Sequence, residues 1–250
     1  MPMLDRYMMH RMEREIDLRL YRQIATASLS NVKALIDSGA DPGARAYDEL
    51  NHWYCVVHRA SLNPNLEVLK YLVSLGIDPC QSDFWGREPL SFAVRSNGKA
   101  HAEYLIALGN RADNEDCDGG TVIAEAALNP YVEVLDLLFK HGANPNAGAM
   151  YEEPLAIAVS RGTPGRVQYF IEHGADISYV DGLAAYDAPI ENLRVLLKGG
   201  YDANQLDETG GGRVIDHLDD VRRALFEEFG GVVLNPNAEK YHLSLKNPGN

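Results

Sequence analysis

Asp83-Phe84-Trp85-Gly86-Arg87-Glu88-Pro89-Leu90-Ser91-Phe92-Ala93 begins a unit that ends at Gly109. From Glu88 the stretch has a short apolar pattern at helical spacing. Pro89 suits its first turn, where the missing N–H has no intrahelical partner to lose. A second apolar stripe follows at Ala102, Leu105 and Ile106, the spacing of an amphipathic helix with one buried face. Gly109 then stops the helix, because the position after a helix favours the left-handed backbone that glycine adopts freely.

The same phrase recurs along the chain. Gly39-Ala-Asp-Pro, Gly76-Ile-Asp-Pro, Gly142-Ala-Asn-Pro-Asn, Gly174-Ala-Asp-Ile and Gly200-Tyr-Asp-Ala-Asn are copies, Gly109-Asn-Arg-Ala-Asp is a degenerate one, and Gly230 closes a last unit. Successive glycines stand 37, 33, 33, 32, 26 and 30 residues apart. Apolar stripes precede them at Val32/Leu35/Ile36, Leu66/Leu69/Leu72/Val73, Val132/Leu135/Leu138, Val167/Phe170/Ile171 and Leu193/Leu196/Leu197. Lys140, His141, His173 and Lys198 sit where they complement the negative end of the helix dipole. A period of this length marks a stack of supersecondary units.

The pattern resembles the ankyrin repeat family, whose motif is Asp-x-x-Gly-x-Thr-Pro-Leu-His-x-Ala-Ala, a second helix, and Gly-Ala-Asp-x-Asn. Asp83 to Ala93 matches it, Asp116-Cys-Asp-Gly119-Gly-Thr121-Val-Ile-Ala-Glu-Ala126-Ala127 matches it again, and Val56-Val57-His58-Arg59-Ala60 is a looser copy that keeps the histidine. The resemblance covers roughly residues 15 to 235 and implies an all-α solenoid of about seven stacked helix-turn-helix units with short β-hairpin fingers. It divides the chain into an N-terminal helical segment and capping repeat (1–46), internal repeats (47–82, 83–115, 116–148, 149–180 and 181–206), a capping repeat (207–234) and a tail (235–250). The second unit carries about four extra residues near Arg45 to Glu49. The sixth is about seven residues short, and its first helix is expected to shrink to about Leu183–Asp187. The last unit lacks the Thr-Pro-Leu core and bears charges at Asp219, Asp220, Arg222, Arg223, Glu227 and Glu228, as a solvent-facing cap should.

The totals limit the function classes. The 250 residues carry a net charge of −13. Residues 1 to 35 hold six basic and four acidic side chains, which leaves −15 on the remainder. Such a field repels phosphate backbones and attracts basic partners, so nucleic acid is not an expected partner. Cys55, Cys80 and Cys117 are odd in number and far apart, which points to a reduced, cytoplasmic protein without a thiolate metal site. No apolar run is long enough for a signal or a membrane span. Gly210-Gly211-Gly212-Arg213 lacks the following Gly-Lys-Ser/Thr of a phosphate loop and reads as a finger loop. No catalytic motif and no small-molecule cofactor is expected. His58 is expected to tie neighbouring repeats together, and His52 and His101 lack metal-ligand spacing.

Stacking consumes the Leu, Val and Ala positions. The resemblance implies that finger tips and the exposed ends of the first helix line a concave binding face. Those positions are Asn51, His52, Tyr54, Leu62 and Asn63 in the second unit and Phe84, Trp85, Arg87, Arg95 and Ser96 in the third. The fourth supplies Cys117, Asp118, Gly120, Leu128 and Asn129, and the fifth Met150, Tyr151, Glu152, Ser160 and Arg161. Among them His52, Tyr54, Phe84, Trp85, Arg87, Arg95, Asp118, Met150, Tyr151 and Arg161 are the candidate partner contacts, because aromatic and arginine side chains dominate binding hot spots. The expected function is non-catalytic binding of another protein. A sharper form is an acidic inhibitor, such as an immunity protein or antitoxin, that neutralises a basic toxin or enzyme. The rival is an enzyme or enzyme regulatory subunit with its site near Asp181, Tyr186 and Asp187 in the sixth unit, or in the tail.

Overall fold

Leu66–Ser74 shows how each unit is built. Asn65 stands in extended backbone just before the first turn, and its side chain accepts the Glu67 amide at 3.1 Å. That bond satisfies one of the amides a helix start leaves open. Val68, Leu69 and Leu72 are buried on one face, while Glu67 and Ser74 face water. At the far end Gly76 takes φ +88°, and the Ile77 amide turns back onto the Leu72 carbonyl.

The structure is a computed structural model, and residues 14–47, 52–95, 99–129, 132–148, 153–206 and 213–233 are described. The chain forms two compact units, Met1–Asn144 and Pro145–Asn250. In the first, α1 (Glu15–Gln23) pairs with α2 (Leu29–Asp37), α3 (Val56–Ala60) with α4 (Leu66–Ser74), α5 (Pro89–Ala93) with α6 (Lys99–Ala107), and α7 (Val122–Ala126) with α8 (Val132–Lys140). The first helices of successive pairs stack on one another, α1 on α3, α3 on α5 and α5 on α7. Between α2 and α3 the chain forms an antiparallel hairpin, β1 (Arg45–Tyr47) and β2 (Trp53–Cys55), in the register Arg45↔Cys55, Ala46↔Tyr54, Tyr47↔Trp53. The extra residues expected near Arg45 to Glu49 begin in β1, and residues 48–51 lie outside the described residues.

In the second unit α9 (Pro154–Arg161) packs on α10 (Pro164–Glu172), and α11 (Gly182–Tyr186) stacks on α9 while α12 (Ile190–Lys198) stacks on α10. A 3-10 turn, Val214–His217, stands in place of a first helix before α13 (Asp220–Glu228). The sixth first helix, α11, lies within one residue of the expected Leu183–Asp187. At five residues it is shorter than the eight of α9 but equals α3, α5 and α7. The missing residues come mainly from the finger, where a 3-10 turn, Ile177–Tyr179, runs almost directly from Gly174 to α11.

Polar side chains tie successive repeats together inside the apolar core. Asn63 donates from Nδ2 to the carbonyls of Ile24 (2.7 Å) and Ala27 (2.9 Å) at the end of α1. His101 uses Nε2 on the Asn63 carbonyl at 3.0 Å, and Asn129 reaches the Val94 carbonyl at 2.6 Å. In the second unit Asn192 donates to Ala158, Val159 and Gly162, and Arg222 donates to the Ala188 carbonyl from Nε and Nη2. Each satisfies carbonyls that a short helix leaves open at its C-terminal end. Asn63 and Asn129, expected on the exposed face, are instead buried in these latches.

Candidate partner-binding surface

Two fingers of the first unit share one construction. The Asp83 carboxylate accepts the amides of Trp85 (2.9 Å) and Arg87 (3.0 Å) through Oδ1, while Oδ2 takes the Arg87 guanidinium through Nε (2.9 Å) and Nη2 (2.7 Å). Asp83 and Arg87 also pair through the backbone, and Gly86 at φ +83° completes the turn. Asp116 repeats this arrangement with the amides of Asp118 (3.0 Å) and Gly120 (2.8 Å), and Gly119 takes φ +86°. The Asp-x-x-Gly spacing therefore places a carboxylate inside the turn and a left-handed residue at its corner.

Backbone bonds join the fingers edge to edge. Phe84 donates its amide to the Trp53 carbonyl at 3.1 Å, and Cys117 donates to the Trp85 carbonyl at 2.8 Å. This pairing gathers the aromatic side chains. The His52 ring lies 4.4 Å from Phe84 and 4.7 Å from Trp85, and Phe84 meets Trp85 edge-on at 5.4 Å. Trp85 donates from Nε1 to the Tyr54 hydroxyl at 3.4 Å. Arg45 lies over the Trp53 ring at 4.4 Å, a pair that the sequence reading did not single out.

The structure sorts the candidate contacts. His52, Phe84 and Trp85 come together, with Phe84 44% exposed and the other two half-buried. Asp118 is exposed on the adjoining finger. Tyr54 is buried in β2 and supports Trp85 from beneath, so it is no tip residue. Arg87 turns inward to Asp83 and lies over Phe92 at 4.9 Å, which removes it from the exposed set. Arg95 is half-exposed and paired with Glu125 at 3.0 Å. Arg161 is exposed in the last turn of α9, in the second unit. Met150, Tyr151 and Glu152 lie outside the described residues, as do Asn51, Ser96 and the Gly210–Gly212 loop.

His58, His101 and His173 each bond to backbone. His58 accepts the Cys55 amide at Nδ1 and places Nε2 3.2 Å from the Arg87 carbonyl, the expected link between repeats. Burial pushes its pKa down to about 4, against the opposing pull of Asp83. His101 is shifted the same way by burial. His173 caps its own helix, with Nδ1 2.8 Å from the Tyr169 carbonyl. All three cysteines are free thiols, and burial pushes Cys55 up to about 11. Near the proposed alternative site, the Tyr186 ring lies 6.0 Å from His217, and Asp181 accepts the Ala184 amide as the cap of α11. Among the described residues no three His, Cys, Asp or Glu side chains are placed to hold a metal ion, and no helix is long and apolar enough to cross a membrane.

Comparison with known proteins gives a consistent result. The family model for ankyrin repeats (three copies) matches residues 57–149 and 90–181. "Ankyrin repeat protein nuc-2" of Neurospora crassa is 27% identical over 229 residues, covering 74% of this chain and 21% of the relative. The chain therefore spans about a fifth of that relative's length. Human "Protein phosphatase 1 regulatory subunit 27" is 37% identical over 84 residues, 34% of this chain and 53% of the relative. The crystal structure of the human ASB11 ankyrin repeat domain superposes with a TM-score of 0.65 at 20% identity. It covers 83% of this chain and 96% of that one, a likeness of fold alone.

Proposed function

Because the chain belongs to the ankyrin repeat family, we propose that it binds a partner protein through the joined fingers around Phe84, Trp85 and Asp118. Ankyrin repeats are protein-interaction modules. The observation that carries the reading further is the Phe84 ring, held outward at 44% exposure by His52 and Trp85. A large ring fixed in water has hydrophobic surface still to bury, and a partner supplies the cover. The likeness to a phosphatase regulatory subunit accords with a protein partner. The test is quantitative affinity capture from the source cells with the wild type and with Phe84→Ala/Trp85→Ala, after circular dichroism shows both folded. A partner retained by the wild type and lost from the variant is expected. An identical set of retained proteins rules the finger face out.

The net charge of −13 favours a sharper form, in which the partner is basic and the chain inhibits it. Steered association slows with salt, because screening shortens the reach of the field to about 10 Å at 0.1 M. For the captured partner, the association rate in stopped flow is expected to fall steeply between low and physiological salt. A rate independent of salt counts against a basic partner.

A further inference from the structure

Resting on the finger-face reading above, we propose that the Asp83 and Asp116 fingers form a subsite for an arginine side chain presented by an exposed loop of the partner. The aromatic half of the subsite is preorganised. His52 and Trp85 hold Phe84, and Trp85 is tied through Nε1 to the Tyr54 hydroxyl. An aromatic face presented in this way attracts a cation through its ring quadrupole.

The acidic half is placed by the bond from the Cys117 amide to the Trp85 carbonyl. It sets the two fingers side by side at roughly the 5 Å spacing of neighbouring strands. The Asp116 finger and the segment leading into it carry Asp113, Glu115 and Asp118, all exposed and in no ion pair among the described residues. Three nearby cations are paired with carboxylates, Arg87 with Asp83, Arg111 with Glu88 and Arg95 with Glu125, while Arg45 lies over Trp53 on the hairpin side. On the side of the Asp116 finger the aromatic surface is therefore bordered by uncompensated negative charge.

Guanidinium chemistry fits both halves at once. It is flat, is weakly hydrated, stacks on rings and presents its donors as a fork to carboxylates. An acidic loop is repelled here, and an apolar one leaves the carboxylates without partners. On the adjacent hairpin Arg45 already stacks on Trp53 at 4.4 Å, the same contact made within the chain.

The test uses the full chain and two probes, a short acetylated and amidated Gly/Ser peptide with a central arginine and its citrulline counterpart. Nitrogen–proton spectra report directly, since Trp53 and Trp85 are the only tryptophans and Trp53→Phe assigns their indole signals. The arginine peptide is expected to shift the Trp85 indole and the Asp118 amide, and the citrulline peptide to leave both in place. Phe84→Ala, and separately Glu115→Gln/Asp118→Asn, each weaken the arginine peptide by roughly threefold to tenfold. Equal shifts with both peptides, no shift with either, or shifts spread evenly over the acidic surface overturn the proposal. Capture read in parallel separates the two claims. A partner lost from Phe84→Ala/Trp85→Ala while the peptides behave alike keeps the finger face and removes the arginine subsite. Capture indifferent to that variant removes both.

Discussion

The Nε2 atom of His58, at the start of one repeat, lies 3.2 Å from the carbonyl oxygen of Arg87 in the finger of the next. Its other nitrogen accepts the Cys55 amide, so the ring is neutral and Nε2 donates. Arg87 in turn binds Asp83, whose carboxylate also holds the Trp85 amide. One buried histidine thus connects the stacked helices to the finger that displays Phe84.

That connection makes stability depend on pH. The folded value of His58 is about 4, below the unfolded value near 6.5. The stabilisation is complete above pH 6.5 and is lost as pH falls through the interval down to 4, because the unfolded chain takes up the proton first. Between pH 7.5 and 5 the expected loss is about 2 kcal/mol, and His101, shifted in the same direction, adds to it. Urea unfolding of the wild type and His58→Gln at both pH values measures this. The variant should show a shallower pH dependence, and a wild type equally stable at both would refute the neutral, buried histidine.

Gly119 tests the finger turn. It sits at φ +86°, where an alanine carries a left-handed penalty of roughly 1–2 kcal/mol. Gly119→Ala is expected to loosen the Asp116 finger locally while the helices stay intact. Hydrogen exchange of the Cys117 amide, which is bonded to the Trp85 carbonyl, reports on that edge. Faster exchange there, with unchanged exchange in α7 and α8, is the expected result. Unaltered Cys117 exchange means the turn does not need the glycine.

Asn192 tests a latch in the second unit. Fully buried, it supplies Nδ2 to the carbonyls of Ala158, Val159 and Gly162. Asn192→Ala removes that donor and leaves buried carbonyls unsatisfied, at a cost of roughly 1–3 kcal/mol. The Leu193 to Leu197 stripe is untouched, so the effect isolates the polar contact. Thermal unfolding should show a transition lowered by several degrees. A midpoint within a degree of wild type would mean that water replaces the latch without loss.

The sequence disclosed the repeat, its register and the tips at Phe84 and Trp85, because helix spacing and terminating glycines are local signals. It misplaced Asn63, Asn129, Tyr54 and Arg87, whose partners lie in other repeats or other parts of a finger. A polar residue at a helix start reads the same from sequence whether it faces water or the carbonyls of the preceding helix. Only the stacking brings Asn63 to Ile24 and Ala27. The shortened unit and its first helix were legible to within a residue, but not that most of the loss falls in the finger. The glycine spacing records how many residues are missing, but not that α11 keeps the five residues of α3, α5 and α7 while the finger is shed.

Phe84 and Trp85 are neighbours with different duties, and their alanine variants should separate. Phe84 is 44% exposed, and its ring contributes mainly surface contacts with His52 and Trp85. Truncating it should cost no more than about 1 kcal/mol of stability, because little of its area is withdrawn from water. Trp85 is half-buried, and its indole donates to the Tyr54 hydroxyl beneath it. Truncating it uncovers buried Tyr54 and removes that hydrogen bond, for a cost of roughly 2 kcal/mol or more. Partner affinity should fall in both variants, since both rings form the exposed cluster. Paired urea unfolding and titration distinguish the duties: Phe84→Ala is expected to lose binding with stability nearly intact, and Trp85→Ala to lose both. Should Phe84→Ala be the more destabilising of the two, the assignment of Phe84 as the outward-facing ring and Trp85 as its support is wrong.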